Sequence, residues 1–302
     1  LIIFAGLLAT SLYNFFSCLL RALGNSTVPL VFLAVSAILN IAWDLLFVAV
    51  FHWGIAGAAY ATIFAQYVSG IGILLYVLFR CRSLLPERKD LRFDGEILKE
   101  IAGLSSLTCL QQSVMNFGIL MVQGLVNSFG ATTMAAFAAA VKIDTFAYLP
   151  VQDFGNAYST FVAQNYGAGN KERIRRGTKE SFAISTAFSL VISALVFAFA
   201  APLMQIFVSS AETAVIASGV RYLRIEGAFY FGIGCLFLLY GYYRAIKRAE
   251  MSVVLTVISL GIRVLLAYVL SATFLGETGI WMAIPIGWIL ADLTGLLYMR
   301  KT

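Results

Sequence analysis

Residues 29–62 read PLVFLAVSAILNIAWDLLFVAVFHWGIAGAAYAT. Two long apolar runs in this stretch predict membrane-spanning helices, and a short turn at residues 52–54 joins them. One acid, Asp44, lies among Leu, Phe, Val and Ala. Because a carboxylate at membrane depth costs about 2.5 to 3.5 kcal/mol on insertion scales, such a residue is expected to face the protein interior and to have a function.

Two neutral oxygen donors are predicted to lie near Asp44. Asn40 precedes it by four residues and therefore shares its helix face. Thr62 lies on the returning helix, and a reversal centred near Trp53 places Asp44 and Thr62 nine residues on either side of the turn. At a rise of about 1.5 Å per residue they lie at one depth. We therefore predict that Asp44, Asn40 and Thr62 form a hard-oxygen site for a small cation such as Na+, or for a proton.

The composition is that of an integral membrane protein. Of the 302 residues, 61% are hydrophobic and 12% are charged, and the mean hydropathy is +0.89, whereas soluble domains contain about 25% charged residues. Nine apolar runs are long enough to span a bilayer as helices, and they lack the alternation of barrel strands. The nine predicted spans are residues 1–20, 28–50, 55–79, 98–129, 132–165, 182–208, 220–243, 251–274 and 280–298.

Lysine and arginine are concentrated in alternate loops. Of the 21 basic residues, 17 lie in these loops or at the C-terminal end, and the intervening loops contain none. By the positive-inside rule, the basic loops and the C-terminus are cytoplasmic. We therefore expect a multi-pass protein of the inner (plasma) membrane. The sequence has no basic surface domain, so nucleic acid is not an expected partner.

Motifs for a metal site or for catalysis are missing from the sequence. The four cysteines have no CxxC spacing, and the single histidine, His52, lies in a predicted outer turn. We therefore predict neither a disulfide framework nor a cofactor. No HExxH motif or Ser-Lys arrangement is visible, so the chain is predicted not to be an enzyme.

An internal repeat relates the two ends of the chain. The segment LRAL at 20–23 and the glycines at 54 and 57 recur as YRAI at 243–246 and as glycines at 276 and 279. Both copies run in the same direction, which predicts two bundles related by an axis along the membrane normal. Six helices separate equivalent positions, so the repeat predicts a twelve-helix protein of which this chain contains the last nine.

This repeat also predicts the domain boundaries. We expect residues 1–80 to form the last three helices of the N-terminal bundle and residues 98–302 a complete six-helix C-terminal bundle. The most polar interval, residues 81–97, is predicted to be the cytoplasmic linker between them.

Polar side chains at membrane depth in the second bundle suggest a cavity. Polar residues within 98–129 fall largely on one helix face, where they line a cavity or form hydrogen bonds between helices, two alternatives that the sequence does not separate. The candidates for the substrate cavity are Gln111, Gln112, Asn116, Lys142 and Asp144. Arg263 needs an acidic partner, and an ion pair with Glu226, Asp144 or Asp292 is expected.

Several segments closely resemble the multidrug and toxic compound extrusion (MATE) family. They are LLRALGNSTVP at 19–29, NIAWDLLFVAVFHWGIAGAAYAT at 40–62, the segment from KID at 142–144 through AQNYGAGN at 163–170, and GIWMAIPIGW at 279–288. The resemblance covers essentially the whole chain. It implies a pseudo-symmetric transporter of two six-helix bundles that acts as a secondary antiporter and exports small organic or cationic drugs in exchange for Na+ or H+.

The resemblance also bears on the site residues. Asn40, Asp44 and Thr62 match the cation-site pattern of the DinF-type members, which an acid on the family's first helix completes. NorM-type members use acids in the second bundle, and this chain departs from them, because Gln112 stands where their glutamate aligns. The resemblance thus favours the first-bundle site and leaves the coupling ion, Na+ or H+, open.

A lipid-linked precursor flippase of the same superfamily is the alternative function. Such a protein should have a cavity rich in arginine and in membrane acids, whereas only Arg263 and Lys142 lie deep in the predicted spans. The expected partners are a small-molecule substrate and the lipid bilayer, and the expected state is a monomer. Apart from the coupling ion, no cofactor is expected.

Overall fold

The computed structural model describes residues 2–82 and 93–301, and every regular element within these ranges is a helix. Among the described residues, eight helices are long and apolar enough to cross a membrane, and one bent pair raises the number to nine. The predicted all-α membrane fold is therefore confirmed. The chain forms two compact units, Leu1–Asp94 and Gly95–Thr302. Most of the predicted linker at 81–97 lies outside the described residues.

The described part of unit 1 contains three α-helices, which are α1 at Leu7–Ala22, α2 at Thr27–Asp44 and α3 at Gly54–Arg80. A 3-10 helix at Ile2–Gly6 precedes α1, and a π-helix at Leu45–Val50 follows α2. Helix α3 lies between α1 and α2. Small residues allow the close approach of α1 and α3, because a Cβ on Gly70 would lie only 2.6 Å from the carbonyl oxygen of Ala9. Helices α2 and α3 are antiparallel and are joined by a 2.9 Å hydrogen bond from the hydroxyl of Ser36 to the carbonyl oxygen of Ala65.

The predicted span at 28–50 contains two kinds of helix. Its α-helical part ends at Asp44, and the next six residues form the π-helix. There the amide of Phe51 donates to the carbonyl oxygen of Leu46, five residues earlier, at 2.9 Å. Apolar periodicity does not distinguish the two geometries, so it did not predict this change. Short π-helical turns are rare in proteins as a whole, and those that occur are often at functional sites.

The described part of unit 2 packs seven helices around a core of aromatic side chains. The helices are α4 at Gly95–Asn127, α5 at Ala131–Gly167, α6 at Lys171–Phe207, α7 at Thr213–Gly227, α8 at Tyr230–Ala245, α9 at Ala249–Ser271 and α10 at Glu277–Lys301. Trp281 stacks on Phe137, with 5.4 Å between ring centroids, and meets Tyr222 edge-on at 4.9 Å. All three rings are buried, so they fix α5, α7 and α10 against one another.

The predicted single helix at 220–243 is broken. Helices α7 and α8 meet at an angle of 52° across Ala228 and Phe229. The amide of Phe229 donates to the carbonyl oxygen of Glu226 at 3.0 Å, and that of Gly232 donates to Phe229 at 2.8 Å. These three-residue hydrogen bonds replace the four-residue bonds of an α-helix and change the direction of the chain.

Helix α6 begins well before the predicted start at residue 182. Its first residue is Lys171, so the basic segment predicted as a loop forms helical turns. Asn170 caps this end, because its side-chain oxygen accepts a 3.0 Å hydrogen bond from the amide of Arg173. A search for apolar runs misses these turns because their side chains are charged.

Two turns at equivalent positions of the predicted repeat have the same geometry. The amides of Gly24 and Asn25 donate to main-chain oxygens three and five residues earlier, both at 2.9 Å. Lys247 and Arg248 make the same two bonds at 3.3 and 2.9 Å. Gly24 and Lys247 have φ values of 85° and 61°. Both turns are Schellman motifs, which end a helix with one residue in the left-handed region.

Candidate functional site

The predicted cation site lies where α2 changes to the π-helix. Asp44 is the last residue of α2, and its side chain is half-buried. Its Oδ1 atom is buried and has no hydrogen-bond partner among the described residues, and the same holds for Nδ2 of Asn40 one turn earlier. An amide that turns over presents its oxygen in place of its nitrogen. Both side chains therefore have unused capacity to coordinate a cation.

Two contacts between α2 and α3 show which residues of α2 lie at the same depth as Thr62 on α3. The hydrogen bond from Ser36 to Ala65 lies on one side of it along the helix pair. On the other side, the carbonyl oxygen of Phe47 lies 3.1 Å from the position of a Cβ on Gly57. Asn40 and Asp44 fall between these contacts on α2, and Thr62 falls between them on α3. The three predicted ligands therefore occupy one section of the antiparallel pair.

The hydroxyl of Thr62 is compatible with a ligand role. It donates a 3.0 Å hydrogen bond to the carbonyl oxygen of Ala58, one turn earlier on α3. A hydroxyl that donates in this way keeps its oxygen lone pairs as acceptors. That Asp44, Asn40 and Thr62 coordinate one ion stays a prediction.

Gln66 is a further polar residue near Thr62, and it was not predicted as a member of the site. It lies one turn after Thr62 on the same face of α3. Its Oε1 atom is buried and has no partner among the described residues, and it approaches the backbone of Gly6. The four-residue spacing from Thr62 was the available signal. Glutamine is uncharged, so its depth alone did not identify it.

Unit 2 contains a cavity of about 180 Å³ whose wall includes three charged side chains, Asp144, Glu226 and Arg263. The two carboxyl groups are almost completely buried, with exposed fractions of 2% and 5%. Asp144 accepts a hydrogen bond at Oδ1 from the hydroxyl of Tyr230. In contrast, Oδ2 of Asp144, Oε2 of Glu226 and Nε of Arg263 are buried without a partner in the described part of the chain.

The expected ion pair of Arg263 is not formed. No nitrogen of its guanidinium lies within 4.0 Å of a carboxyl oxygen of Glu226, Asp144 or Asp292 in the structure. Arg263 and the two acids instead face the same cavity. Two carboxyl groups opposite one guanidinium favour a proton, a metal cation or a positively charged ligand in the space between them, because a buried charge needs compensation.

Aromatic side chains form much of the rest of the cavity wall. An organic cation is attracted to the faces of such rings and to carboxylates. The aromatic residues of the wall are Phe137, Tyr148, Tyr222, Phe237, Tyr240 and Trp288.

Of the five predicted substrate-cavity residues, only Asp144 lines this cavity. Gln111 is buried elsewhere on α4, and Gln112 and Asn116 are exposed in unit 2. The ammonium group of Lys142 lies 5.7 Å from the ring centroid of Phe207, outside the cavity. A role for these four residues in substrate binding stays a prediction.

The charged residues of the cavity were recognisable in the sequence, but their convergence was not. Glu226 and Arg263 were visible as charges at membrane depth, and Tyr222 precedes Glu226 by one helical turn. Three different helices, α5, α7 and α9, bring these groups together. Side-chain spacing within one helix cannot predict such a meeting.

The sequence model of the MatE family matches residues 107–269, which is more than half of the chain. The chain is 33% identical over 300 residues to the probable multidrug resistance protein YpnP of Bacillus subtilis, covering 98% of this chain and 66% of that protein. It is 27% identical over 292 residues to the probable multidrug resistance protein NorM of Thermotoga maritima, covering 93% and 61%. The chain thus spans less than two thirds of the length of these relatives.

Solved structures of MATE transporters have the same fold. An outward-facing multidrug resistance MATE transporter of the MOP superfamily matches with a TM-score of 0.93 at 24% identity, over 99% of this chain and 67% of that chain. A mutant of the Vibrio cholerae MATE transporter VcmN matches with a TM-score of 0.90 at 23% identity, over 98% and 67%. These proteins are transporters and not enzymes, in agreement with the sequence-based prediction. The chain belongs to the multidrug and toxic compound extrusion (MATE) family.

Proposed function

We propose that the protein containing this chain is a secondary antiporter that exports small organic or cationic compounds in exchange for Na+ or H+. Relatives of the chain are named as multidrug resistance or multidrug export proteins. The observation that carries the proposal is the carboxyl group of Asp44, which has a buried oxygen without a partner among the described residues. A membrane protein that retains such a group has a use for its charge.

In this proposal the occupation of Asp44 couples the ion to the substrate. A bound Na+ or proton neutralises the carboxylate, and Asn40 and Thr62 supply further oxygen atoms. The neutralised site favours one conformation of the transporter, whereas a bound substrate favours the other. The π-helix next to Asp44 supports this role, because a helix with irregular hydrogen bonding changes shape more readily than a regular one.

We further propose that the cavity in unit 2 contributes to substrate binding. Its aromatic wall and its two buried carboxyl groups suit an amphipathic cation. Asp144 is the member of this wall that the sequence predicted. Its Oδ2 atom has no partner within the described ranges and is available to a positively charged group.

The remaining expectations belong to the same proposal. The protein acts as a monomer in the plasma membrane, with its basic segments and its C-terminus on the cytoplasmic side. It needs no cofactor besides the coupling ion, and it does not act on nucleic acid. A flippase for lipid-linked precursors is not favoured, since several of the relatives are named for multidrug resistance or multidrug export.

Transport by the full-length protein in proteoliposomes tests the proposal. Efflux of a fluorescent cationic dye is measured under a Na+ gradient and, separately, under a pH gradient. We expect Asp44→Asn to abolish the dye efflux that depends on the gradient. The control Glu180→Gln, at an exposed residue, should preserve this efflux. Equal apparent melting temperatures of the two variants would show that folding is not the cause. Wild-type gradient-driven efflux by Asp44→Asn would overturn the proposal.

A further inference from the structure

A second cavity of unit 2, which we call the basic pocket, opens where several helices end. Its volume is about 560 Å³. It lies at the end of α5, the start of α6, the end of α8 and the start of α9, so it is at one surface of the helix bundle. The residues of its wall that matter here are Tyr166, Lys171, Arg175, Tyr242, Ile246 and Arg248.

The basic pocket has three cationic side chains and no carboxyl group among its described wall residues. Lys171 and Arg175 are four residues apart on α6 and therefore share one face. Like charges at this spacing repel each other. In the described ranges, neither forms an ion pair. The pocket therefore concentrates positive charge without internal compensation.

Neighbouring basic residues of α6 are used differently. Arg176 forms an ion pair with Glu180 at 2.9 Å. The guanidinium of Arg173 lies 5.6 Å from the ring centroid of Phe161. Lys171 and Arg175 differ from Arg173 and Arg176, because their side chains face the pocket and not a protein partner.

Arg248, which precedes the first residue of α9, adds further donors to the pocket wall. Its Nη1 atom donates to the hydroxyl of Tyr298 at 2.5 Å, and its guanidinium lies 5.8 Å from the centroid of that ring. A guanidinium has five N–H donors in a fixed plane, so this hydrogen bond leaves others available. The contact with Tyr298 holds the group in position for an anion with several oxygen atoms.

The start of α6 adds to the attraction for an anion. The helix dipole is positive there, whereas the amides of Lys171 and Arg173 already donate to the carbonyl oxygen of Gly169 and to the side-chain oxygen of Asn170. Glu172 lies in this first turn and opposes the effect, but it is not part of the pocket wall. The three side-chain cations therefore supply most of the field.

The rest of the wall suits a lipid rather than a fully polar solute. Ile174, Ile246 and Met299 give the pocket an apolar side. Tyr166 and Tyr242 are of the residue type that is enriched at membrane–water interfaces. Basic pockets between helices on the cytoplasmic side bind anionic lipid headgroups. The positive-inside rule predicts that this end of the bundle is cytoplasmic.

We propose that the basic pocket binds the phosphate of an anionic phospholipid headgroup, with Lys171, Arg175 and Arg248 as its ligands. The site shares no residue with the predicted cation site or with the cavity around Asp144, and it does not depend on the proposed transport activity. A free phosphate ion presents the same chemistry, so the experiment must distinguish the two sources.

Thermal unfolding of the full-length protein in detergent provides the test. The apparent Tm is measured with added phosphatidylglycerol, with phosphatidylcholine and with inorganic phosphate at constant ionic strength. Phosphatidylglycerol is expected to raise the Tm more than phosphatidylcholine does, because a ligand that binds only the folded state stabilises it. The double variant K171Q/R175Q should lose more than half of this difference.

The double variant R173Q/R176Q is the matched control. It removes the same number of charges from the same helix, but its side chains have other partners, so it should keep the lipid effect. Equal losses in both double variants would mean that bulk surface charge attracts the lipid and would overturn the proposal. So would full retention of the effect by K171Q/R175Q. Stabilisation by inorganic phosphate but not by phosphatidylglycerol would overturn the lipid assignment. Native mass spectrometry of retained phosphatidylglycerol gives an independent readout of the same two variants.

Discussion

Gly155 on α5 and Gly241 on α8 lie in direct backbone contact. A Cβ added to Gly241 would lie 2.7 Å from the carbonyl oxygen of Gly155. Next to this contact, the hydroxyl of Ser159 donates a 2.9 Å hydrogen bond to the carbonyl oxygen of Gly241. Helices in membranes gain stability from such close packing, because no hydrophobic effect drives them together inside the bilayer.

The first prediction concerns this contact. Gly241→Ala forces α5 and α8 apart, and overpacking of this kind typically destabilises a protein by about 1–3 kcal/mol. We expect a clearly lower apparent Tm in detergent. Gly103→Ala is the control, because Gly103 lies within α4 and has open space around it. That substitution should be neutral or stabilising, by about 0.5–1 kcal/mol. An unchanged Tm for Gly241→Ala would show that the two helices are not locked at this point.

The second prediction concerns the charges of the cavity in unit 2. Asp144→Asn should weaken binding of the tetraphenylphosphonium cation about tenfold, which corresponds to about 1.4 kcal/mol. Arg263→Gln should strengthen it, because it removes the positive charge that faces the same space. Quenching of tryptophan fluorescence measures the affinity, since Trp288 belongs to the cavity wall.

Arg224→Gln is the control for this charge effect. Arg224 lies on α7, as Glu226 does, but it is exposed and its guanidinium lies over the ring of Phe197 at 5.3 Å. Its loss should leave the affinity unchanged. If Arg224→Gln and Arg263→Gln strengthened binding equally, the net charge of the protein and not the cavity would determine the affinity.

The third prediction concerns Glu277 at the start of α10. Its Oε2 atom accepts hydrogen bonds from Thr133 at 2.9 Å and from Ser218 at 3.1 Å, and Arg221 lies 3.5 Å from Oε1. The carboxylate therefore joins α5, α7 and α10. Glu277→Gln replaces an acceptor by a donor group, and the resulting mismatch should cost about 1–3 kcal/mol of stability. Thermal unfolding measures it, and the exposed substitution Glu212→Gln should have no effect. A Glu277→Gln variant as stable as the wild type would mean that the three helices do not depend on this carboxylate.

The fourth prediction concerns the Schellman turns at Gly24 and Lys247. Gly24 has no neighbour near its Cβ position, so Gly24→Ala tests backbone conformation alone. A left-handed conformation costs an L-residue about 1–2 kcal/mol, and the Tm should fall accordingly. Lys247 already has this conformation. We expect Lys247→Gly to raise the Tm when it is made in the Glu100→Gln variant, where the side-chain contact of Lys247 is already lost. A decrease in that background would contradict the backbone explanation.

The fifth prediction concerns pH and salt. The hydrogen bond that Lys247 donates to Glu100 raises the pKa of Lys247 above its usual value. Because the folded-state pKa is the higher one, the contact stabilises the protein at neutral pH and is lost as the pH rises through the raised pKa. Glu100→Gln should therefore lower the Tm slightly at neutral pH and not at strongly alkaline pH. Both side chains are mostly exposed, so 1 M NaCl should reduce the difference. A difference that persists in high salt would point to a buried contact.

Much of the fold could be predicted from apolar run lengths and from the distribution of basic residues. These signals are strong because the bilayer requires long apolar helices with internally satisfied backbone groups. They do not report local departures from α-helical geometry. The π-helix after Asp44 and the bend near Phe229 were therefore missed, since both lie within continuous apolar runs.

The candidate sites were predictable to the extent that their residues lie on one helix or on two helices joined by a short turn. Asn40, Asp44 and Thr62 meet this condition, and the structure places them in one section of α2 and α3. The cavity around Asp144 does not, because Glu226 and Arg263 reach it from helices that are distant in the sequence. This convergence depends on tertiary packing, which cannot be predicted from side-chain spacing in one sequence.

The paired turns at Gly24 and Lys247 also bear on the ancestry of the chain. Their hydrogen bonds join only main-chain groups, so amino-acid replacement removes neither donor nor acceptor as long as the new residue tolerates the backbone angle. Side-chain similarity between two halves of a duplicated protein can therefore disappear while the shape of such a turn persists. Turns of one geometry at equivalent positions of two halves are therefore consistent with a duplication whose side chains have diverged, although the turn that ends α5 at Gly169 has the same hydrogen bonds and shows that position is needed as well as geometry.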